Sequence, residues 1–287
     1  MKYANTCGTA AQQECILHRN ASPSIEAIAA LMDQIGRKTL PFTLDEMLKR
    51  TAHFGLSVVF GFPFDAKPLL LHDGYGQHAV PAALQAYLSG AYLLDPFYTA
   101  CVEGHAPGLW RMRELAPDGF FESDFYHSAE VHPCISLQPG SLVEEIGFLI
   151  PLESGFNAVY SLMRSEGEPF SDEEMQRLKQ IEPLVRQAVR THWRHLVPEG
   201  RPTSLDDVME SAFASFCHDQ LTYQQRKIVQ LILRGHSNLS IGEHIAVTEG
   251  TVKIHRQNIY KRLKISSQRE LFALFVQRIL ARSDTDQ

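Results

Sequence analysis

A chain of 287 residues, 44% hydrophobic and 21% charged, has the length for two domains with sizeable cores. No apolar run reaches the roughly 20 residues of a membrane helix, and the opening MKYANTCGTAAQQEC lacks a basic start followed by an apolar stretch. A cytoplasmic protein without a membrane partner is therefore expected. The net charge of −6 conceals a split: residues 219–282 carry 11 Lys/Arg and 4 Asp/Glu, the remainder 16 basic and 29 acidic residues. Such a split is what a nucleic-acid footprint fused to an acidic domain produces.

Five scattered cysteines (Cys7, Cys15, Cys101, Cys134, Cys217), with no C-x-x-C pair, argue for reduced thiols and against a disulfide framework or zinc ribbon. His127 and His132 bracket Glu130, but an i, i+5 spacing places them on different helix faces. No metal or cofactor is expected.

Residues 1–22 read as a polar lead-in. Two helical segments follow between Ser24 and Phe54, with apolar spacing at Ile25, Ile28, Leu31, Met32 and Ile35. LSVVFGF (56–62) reads as a buried strand and KPLLLH (67–72) as its hairpin partner. A helical pattern returns between Pro81 and Cys101, LWRMREL (109–115) predicts a short strand, and a helical piece around Phe120–His127 precedes the loop HPCISLQPG. EIGFLIPLE (145–153) and FNAVYSLMR (156–164) predict two strands joined by a tight turn at Ser154 and Gly155. A long helix opens at Ser171, with Glu174 completing a capping box and Pro183 inside it. VPEGRPTS (197–204) has a linker's content, and a short helix is expected over 205–217.

The expected fold class is α+β. An N-terminal α–β–α domain (23–196), with an antiparallel sheet of about five strands, is joined by a linker (197–218) to four short helices (219–282). That N-terminal layout is common among small-ligand sensors.

In 219–282 the first helix starts at a Thr222/Gln225 capping box and ends at Gly235. The second is capped by Ser237 or Asn238, the third by Thr248, and the fourth opens at Ser267 with Glu270. In the third helix Val252, His255, Ile259 and Leu263 share one face, which leaves Gly250, Lys253, Ile254, Gln257 and Lys261 on the other. Two lysines, an amide and an apolar side chain are the groups that read guanine, adenine and the thymine methyl. Arg256, Arg262 and Lys264, with Ser237 and Thr248 near helix starts, are placed to reach phosphates.

The run from Leu221 to Leu271 resembles the LuxR-type helix-turn-helix, with matches at Leu221, Thr222, Gly235, Ser237, Asn238, Ile241, Thr251, Val252, Lys253, His255, Ile259, Leu263 and Ser267. The resemblance implies a transcription regulator binding a double-stranded operator as a homodimer through the fourth helix, and leaves RNA polymerase open as a further partner. It adds Thr251 and Asn238 to the DNA-binding candidates. Departures are Gln225 for the usual Glu, Gly242 for a small Ala, and Gly250.

The stretch YLSGAYLLDPFY with the later GLWRMREL is also similar to autoinducer-binding domains of LuxR-type regulators, through Asp95-Pro96 and Trp110 fifteen residues on. By that likeness Asp95 accepts a ligand N–H, Trp110 caps the pocket and Ser161 bonds a carbonyl, with Tyr87 and Tyr92 nearby. The Trp expected about thirteen residues before the Asp is Ala82, so a lactone is not implied; a small-molecule effector of another kind fits as well. GAF- and PAS-like sensors share the layout. Asp95 also reads as a helix N-cap before Pro96, and Phe121, Phe125 and Tyr126 as pocket wall or plain core.

Two rival readings stand beside this one. The N-terminal domain can be a ligand-independent dimerisation or protein-interaction module. The run G-Y-G-Q-H-A (Gly74, Gly76, Ala79) mimics a dinucleotide fingerprint, but its neighbouring strands read as antiparallel and no second βαβ unit follows. No catalytic motif is present, so no enzyme is expected.

Overall fold

The computed structural model describes residues 23–63, 67–75, 81–131, 142–153, 156–196, 213, 216, 217 and 219–283. Five strands, β1 (Leu56–Phe62), β2 (Leu69–Asp73), β3 (Gly108–Arg111), β4 (Glu144–Pro151) and β5 (Asn157–Arg164), form one sheet in the order β2-β1-β5-β4-β3. Every pairing is antiparallel, with Tyr160 opposite both Val59 and Phe148, and Ser161 opposite both Val58 and Gly147.

Alternate residues of a strand face opposite sides, and here both sides are covered. Ile146, Phe148, Ile150, Ala158, Tyr160 and Leu162 pack beneath α1 (Ile25–Met32), α2 (Leu40–Thr51) and α6 (Asp172–His192). Val58, Phe60, Phe62, Leu149, Val159 and Met163 pack on the other side, beneath α3 (Pro81–Ser89) and α4 (Pro96–Val102). Local chemistry sets the helix starts. The Ser171 hydroxyl accepts from Glu174 N while the Glu174 carboxylate accepts from Ser171 N, which fixes where α6 begins.

Three expected elements differ. The helical pattern of 81–101 is split: α3 ends at Ser89, a 3-10 turn spans Ala91–Leu94, and Asp95 restarts the chain as the cap of α4. The strand over 109–115 stops at Arg111, where the Glu114 carboxylate takes the Arg111 N–H at 2.7 Å and starts the one-turn helix α5 (Met112–Leu115). Over Phe120–His127 only a 3-10 turn, Phe120–Glu122, and irregular turns form. The Gly119 amide just before it donates to Gly235 O at 2.9 Å, outside any helix. The tight turn at Ser154 and Gly155, the lead-in 1–22, the linker 197–204, nearly all of 205–217, the loop 132–140 and His132 lie outside the described residues.

The C-terminal segment forms α7 (Tyr223–Leu233), α8 (Asn238–His244), α9 (Glu249–Leu263) and α10 (Gln268–Ser283). Thr222, Ser237 and Thr248 cap the first three through their hydroxyls. Within α8 a Cβ on Gly242 would lie 2.7 Å from Val247 O in the turn that follows, so glycine there permits a close backbone approach that offsets its helix penalty.

The two halves are not beads on a string. Phe272, Phe275, Val276 and Ile279 of α10 belong to the same apolar cluster as Tyr87, Ala91, Phe97 and Phe120, and α10 packs along α3. A Cβ on Gly90 would stand 3.1 Å from Ile279 Cγ1. None of the described helices is long and apolar enough to cross a membrane.

Candidate DNA-binding face and effector cavity

On α9, Val252 and Ile259 are completely buried while His255 and Leu263 are half-buried, so the inward face is as the spacing predicts. Lys253, Ile254, Gln257 and Lys261 are exposed with the two halves docked, Ile254 at 59%. Ile254 is the apolar group of an otherwise charged and polar face. Lys253 pairs with Glu249 at 2.7 Å. This is an exposed i, i+4 pair, worth about 0.3–0.5 kcal/mol.

Other candidates are engaged inside the protein. Arg256, expected at a phosphate, donates Nη1 to Asn238 Oδ1 at 2.8 Å and Nη2 to Tyr260 Oη and Gln268 Oε1, each at 3.0 Å. It braces α8, α9 and α10, and draws Asn238 inward with it. The Thr248 hydroxyl accepts from Thr251 N at 3.2 Å and lies 2.9 Å from the Thr251 hydroxyl. Arg262 reaches Gln220 O and Gln225 Oε1 at 3.4 and 3.3 Å. The Ser237 N–H donates to Asp118 Oδ1 of the N-terminal half at 2.9 Å.

Beneath α3 and α4 the sheet leaves a small cavity of about 20 Å³. Asp95, Glu145, Ser161 and Tyr87 line it together with the rings of Phe60 and Phe97. Asp95 serves two roles at once: Oδ1 accepts from Phe97 N at 2.7 Å, which caps α4, and Oδ2 accepts from the Tyr87 hydroxyl at 2.5 Å. Burial pushes the Asp95 carboxyl up to about 6 against those hydrogen bonds, and drives the Tyr87 phenol well above its usual range. Glu145, 6% exposed, is raised by burial first and by the Asp95 charge second, with a hydrogen bond to Ser161 opposing. Gly147 makes room for this arrangement, since a Cβ there would meet the Phe97 ring at 2.6 Å.

Glu145 also borders a second, open cleft of about 350 Å³, walled by Met112, Arg113, Phe121, Tyr126 and Leu142. The structure thus gathers Tyr87, Asp95 and Ser161 at the inner cavity and Phe121 and Tyr126 at the outer cleft. Trp110 and Tyr92 border neither. The Trp110 indole donates to Ala106 O at 2.9 Å, and Tyr92 is buried edge-on against Tyr98 with ring centroids 4.9 Å apart. The sequence reading missed Glu145. Strand alternation places it on the same face as Ser161, and that was the available signal.

The halves meet in a polar seam as well as an apolar one. Arg234, at the end of α7, donates to Thr99 Oγ1 at 2.9 Å and lies 3.5 Å from Glu103 Oε1. Partial burial works against the Asp118 carboxylate, yet its hydrogen bonds with Ser237 hold it below the usual range. Burial and the neighbouring Arg234 charge press His236 down to about 4.

Residues 219–275 match the family model of bacterial regulatory proteins, luxR family. Over 194 residues the chain is 29% identical to the HTH-type transcriptional regulator assigned to the exeN 3′ region of Aeromonas salmonicida, covering 65% of this chain and 95% of that protein. Over 52 residues it is 38% identical to the nitrate/nitrite response regulator protein NarL of Escherichia coli, covering 18% and 24%. Among solved structures it is similar to the VqsR LBD domain from Pseudomonas aeruginosa, with a TM-score of 0.49, 20% identity, and coverage of 58% and 94%. The C-terminal segment of this chain is therefore a helix-turn-helix domain of the luxR family of bacterial regulatory proteins.

Proposed function

We propose that the protein regulates transcription by binding duplex operator DNA as a homodimer through α9, under control of a small molecule received by the N-terminal domain. The exposed row Lys253, Ile254, Gln257 and Lys261 carries the DNA-binding half of this reading. A helix buried on one side and presenting two cations, an amide and a bare isoleucine on the other is built for the major groove. Leu280, 43% exposed on α10, leaves that helix apolar surface for a second copy.

Support for control lies in α4. Asp95 at the cavity caps its first turn, and Thr99 at its middle and Glu103 at its far end hold Arg234 of the DNA-binding half. A ligand that re-aims Asp95 thereby acts on the helix that fixes Arg234. The second reading, a ligand-independent dimerisation module, draws on the tightness of the inner cavity, which as it stands holds little more than one water.

The test is a salt-controlled anisotropy titration of the full chain on operator selected from a random duplex pool. Lys253→Ala is expected to weaken binding by about 1–3 kcal/mol. Unchanged affinity would remove α9 from the groove. If metabolite extracts never shift the melting temperature while dimers persist, the ligand-independent reading replaces the sensor.

A further inference from the structure

We infer that the effector is an organic amine, with its primary ammonium head between Asp95 and Glu145 and its apolar body in the outer cleft. This rests on the sensor reading above and names the chemical class of the ligand.

The charged groups lining the inner cavity are both carboxylates, and none of the described lining residues is Lys, Arg or His. The nearest guanidinium at the outer cleft, Arg113, is already paired with Glu144. A neutral ligand that donates one N–H needs one buried acceptor, and Asp95 alone supplies it. Such a ligand has no use for the charge of the second carboxylate, Glu145, beside it. For a cation it is the matching countercharge.

The walls agree with the charge. Phe60, Phe62, Tyr75, Tyr87 and Phe97 surround the carboxylates, and aromatic rings present their negative faces to an enclosed cation. Size agrees too. The space of about 20 Å³ admits one water-sized group, which an ammonium is and a lactone ring is not. The three donors of an ammonium find acceptors in Asp95, Glu145 and the Ser161 hydroxyl. Glu145 is common to the walls of both spaces, so a head held there lies beside the cleft of about 350 Å³ lined by Phe121, Tyr126 and Met112, where the apolar body is placed. Burial and the Asp95 charge hold Glu145 toward its neutral form; a bound cation reverses that pressure.

The experiment titrates the full chain at pH 7.5 by calorimetry and thermal shift with three probes: 2-phenylethylammonium, the neutral 2-phenylethanol, and a neutral acyl-homoserine lactone. The amine is expected to bind at least about 10-fold tighter than the alcohol, the scale of one charged hydrogen bond. Glu145→Gln is expected to lower amine affinity by about 10- to 100-fold and to leave the alcohol unchanged. If that variant fails to fold, the comparison of amine with alcohol on the unmodified protein decides alone. Equal amine affinity in Glu145→Gln, or a lactone that binds as tightly as the amine, overturns the inference while the sensor reading survives. If no probe binds and no metabolite extract shifts the melting temperature, both fall.

Discussion

Gly119→Ala probes whether the two halves act as one cooperative unit. Gly119 donates its N–H to Gly235 O at 2.9 Å, and a Cβ on it would sit 2.9 Å from that same oxygen. Its own backbone is not in the left-handed region, so alanine is tolerable there in every respect but the contact. The overlap forces the seam apart by a few tenths of an ångström. It weakens the Gly119–Gly235 bond and the adjacent Ser237–Asp118 bond. Overpacking of this kind costs about 1–3 kcal/mol, and the loss of glycine's unfolded-state freedom returns about 0.4–1 kcal/mol. The net expectation is a loss of about 0.5–2 kcal/mol, placed entirely between the halves. Both tryptophans, Trp110 and Trp193, lie in the N-terminal half, so their fluorescence reports that half alone, whereas far-ultraviolet circular dichroism also sees the four C-terminal helices. Urea unfolding of the parent protein is expected to give coincident curves by the two probes, and Gly119→Ala to separate them. Coincident curves with an unchanged midpoint would refute the seam as a coupling element.

Tyr87→Phe removes a hydrogen bond to the Asp95 carboxylate and is expected to cost about 1.5–3 kcal/mol, read from urea midpoints. Glu144→Ala strips the carboxylate that receives Arg111 at 2.7 and 2.8 Å and Phe170 N at 2.7 Å; because Arg111 is only 12% exposed, a loss of about 3–5 kcal/mol is expected. Glu145 has a folded pKa raised from 4.5 to about 8, so the folded state holds more protons across that window and stability falls as pH rises through it. Glu145→Gln is expected to flatten that part of the melting-temperature profile. Arg256→Ala is expected to lower stability by about 1–3 kcal/mol through the loss of a three-way brace, with little change in the salt slope of DNA binding, whereas Lys261→Ala lowers the slope by about 1.

What the sequence made legible was local. The capping boxes at Ser171/Glu174 and Thr222/Gln225 and the cap at Thr248 need only neighbours three residues away, and each stands where the pattern puts it. The sheet followed from apolar runs long enough to be buried on both sides. The bracing of Arg256 was not legible because its partners, Asn238 and Gln268, are 18 and 12 residues distant, and no short-range pattern joins them. The expected helix over Phe120–His127 failed for a similar reason: the chain there answers to Gly235 and Ser237, more than a hundred residues away, and no periodicity encodes that contact.

Asp95 is the structural cap of α4, and that role does not exclude the ligand contact proposed above. An ionised carboxylate offers about four lone-pair sites. The first turn of α4 uses two of them, through the backbone of Phe97 and Tyr98, and the Tyr87 hydroxyl uses a third on Oδ2. Capacity therefore remains on the cavity side while the helix stays capped. Under the proposed sensing role, that double duty is what would let the residue act as a relay. A group free to swing would receive a ligand without telling the fold, whereas one anchored to the first turn of α4 passes on any pull. The same helix ends beside Glu103, within 3.5 Å of Arg234. A seven-residue helix is too short to bend away the displacement, so motion at its capped end arrives at the other.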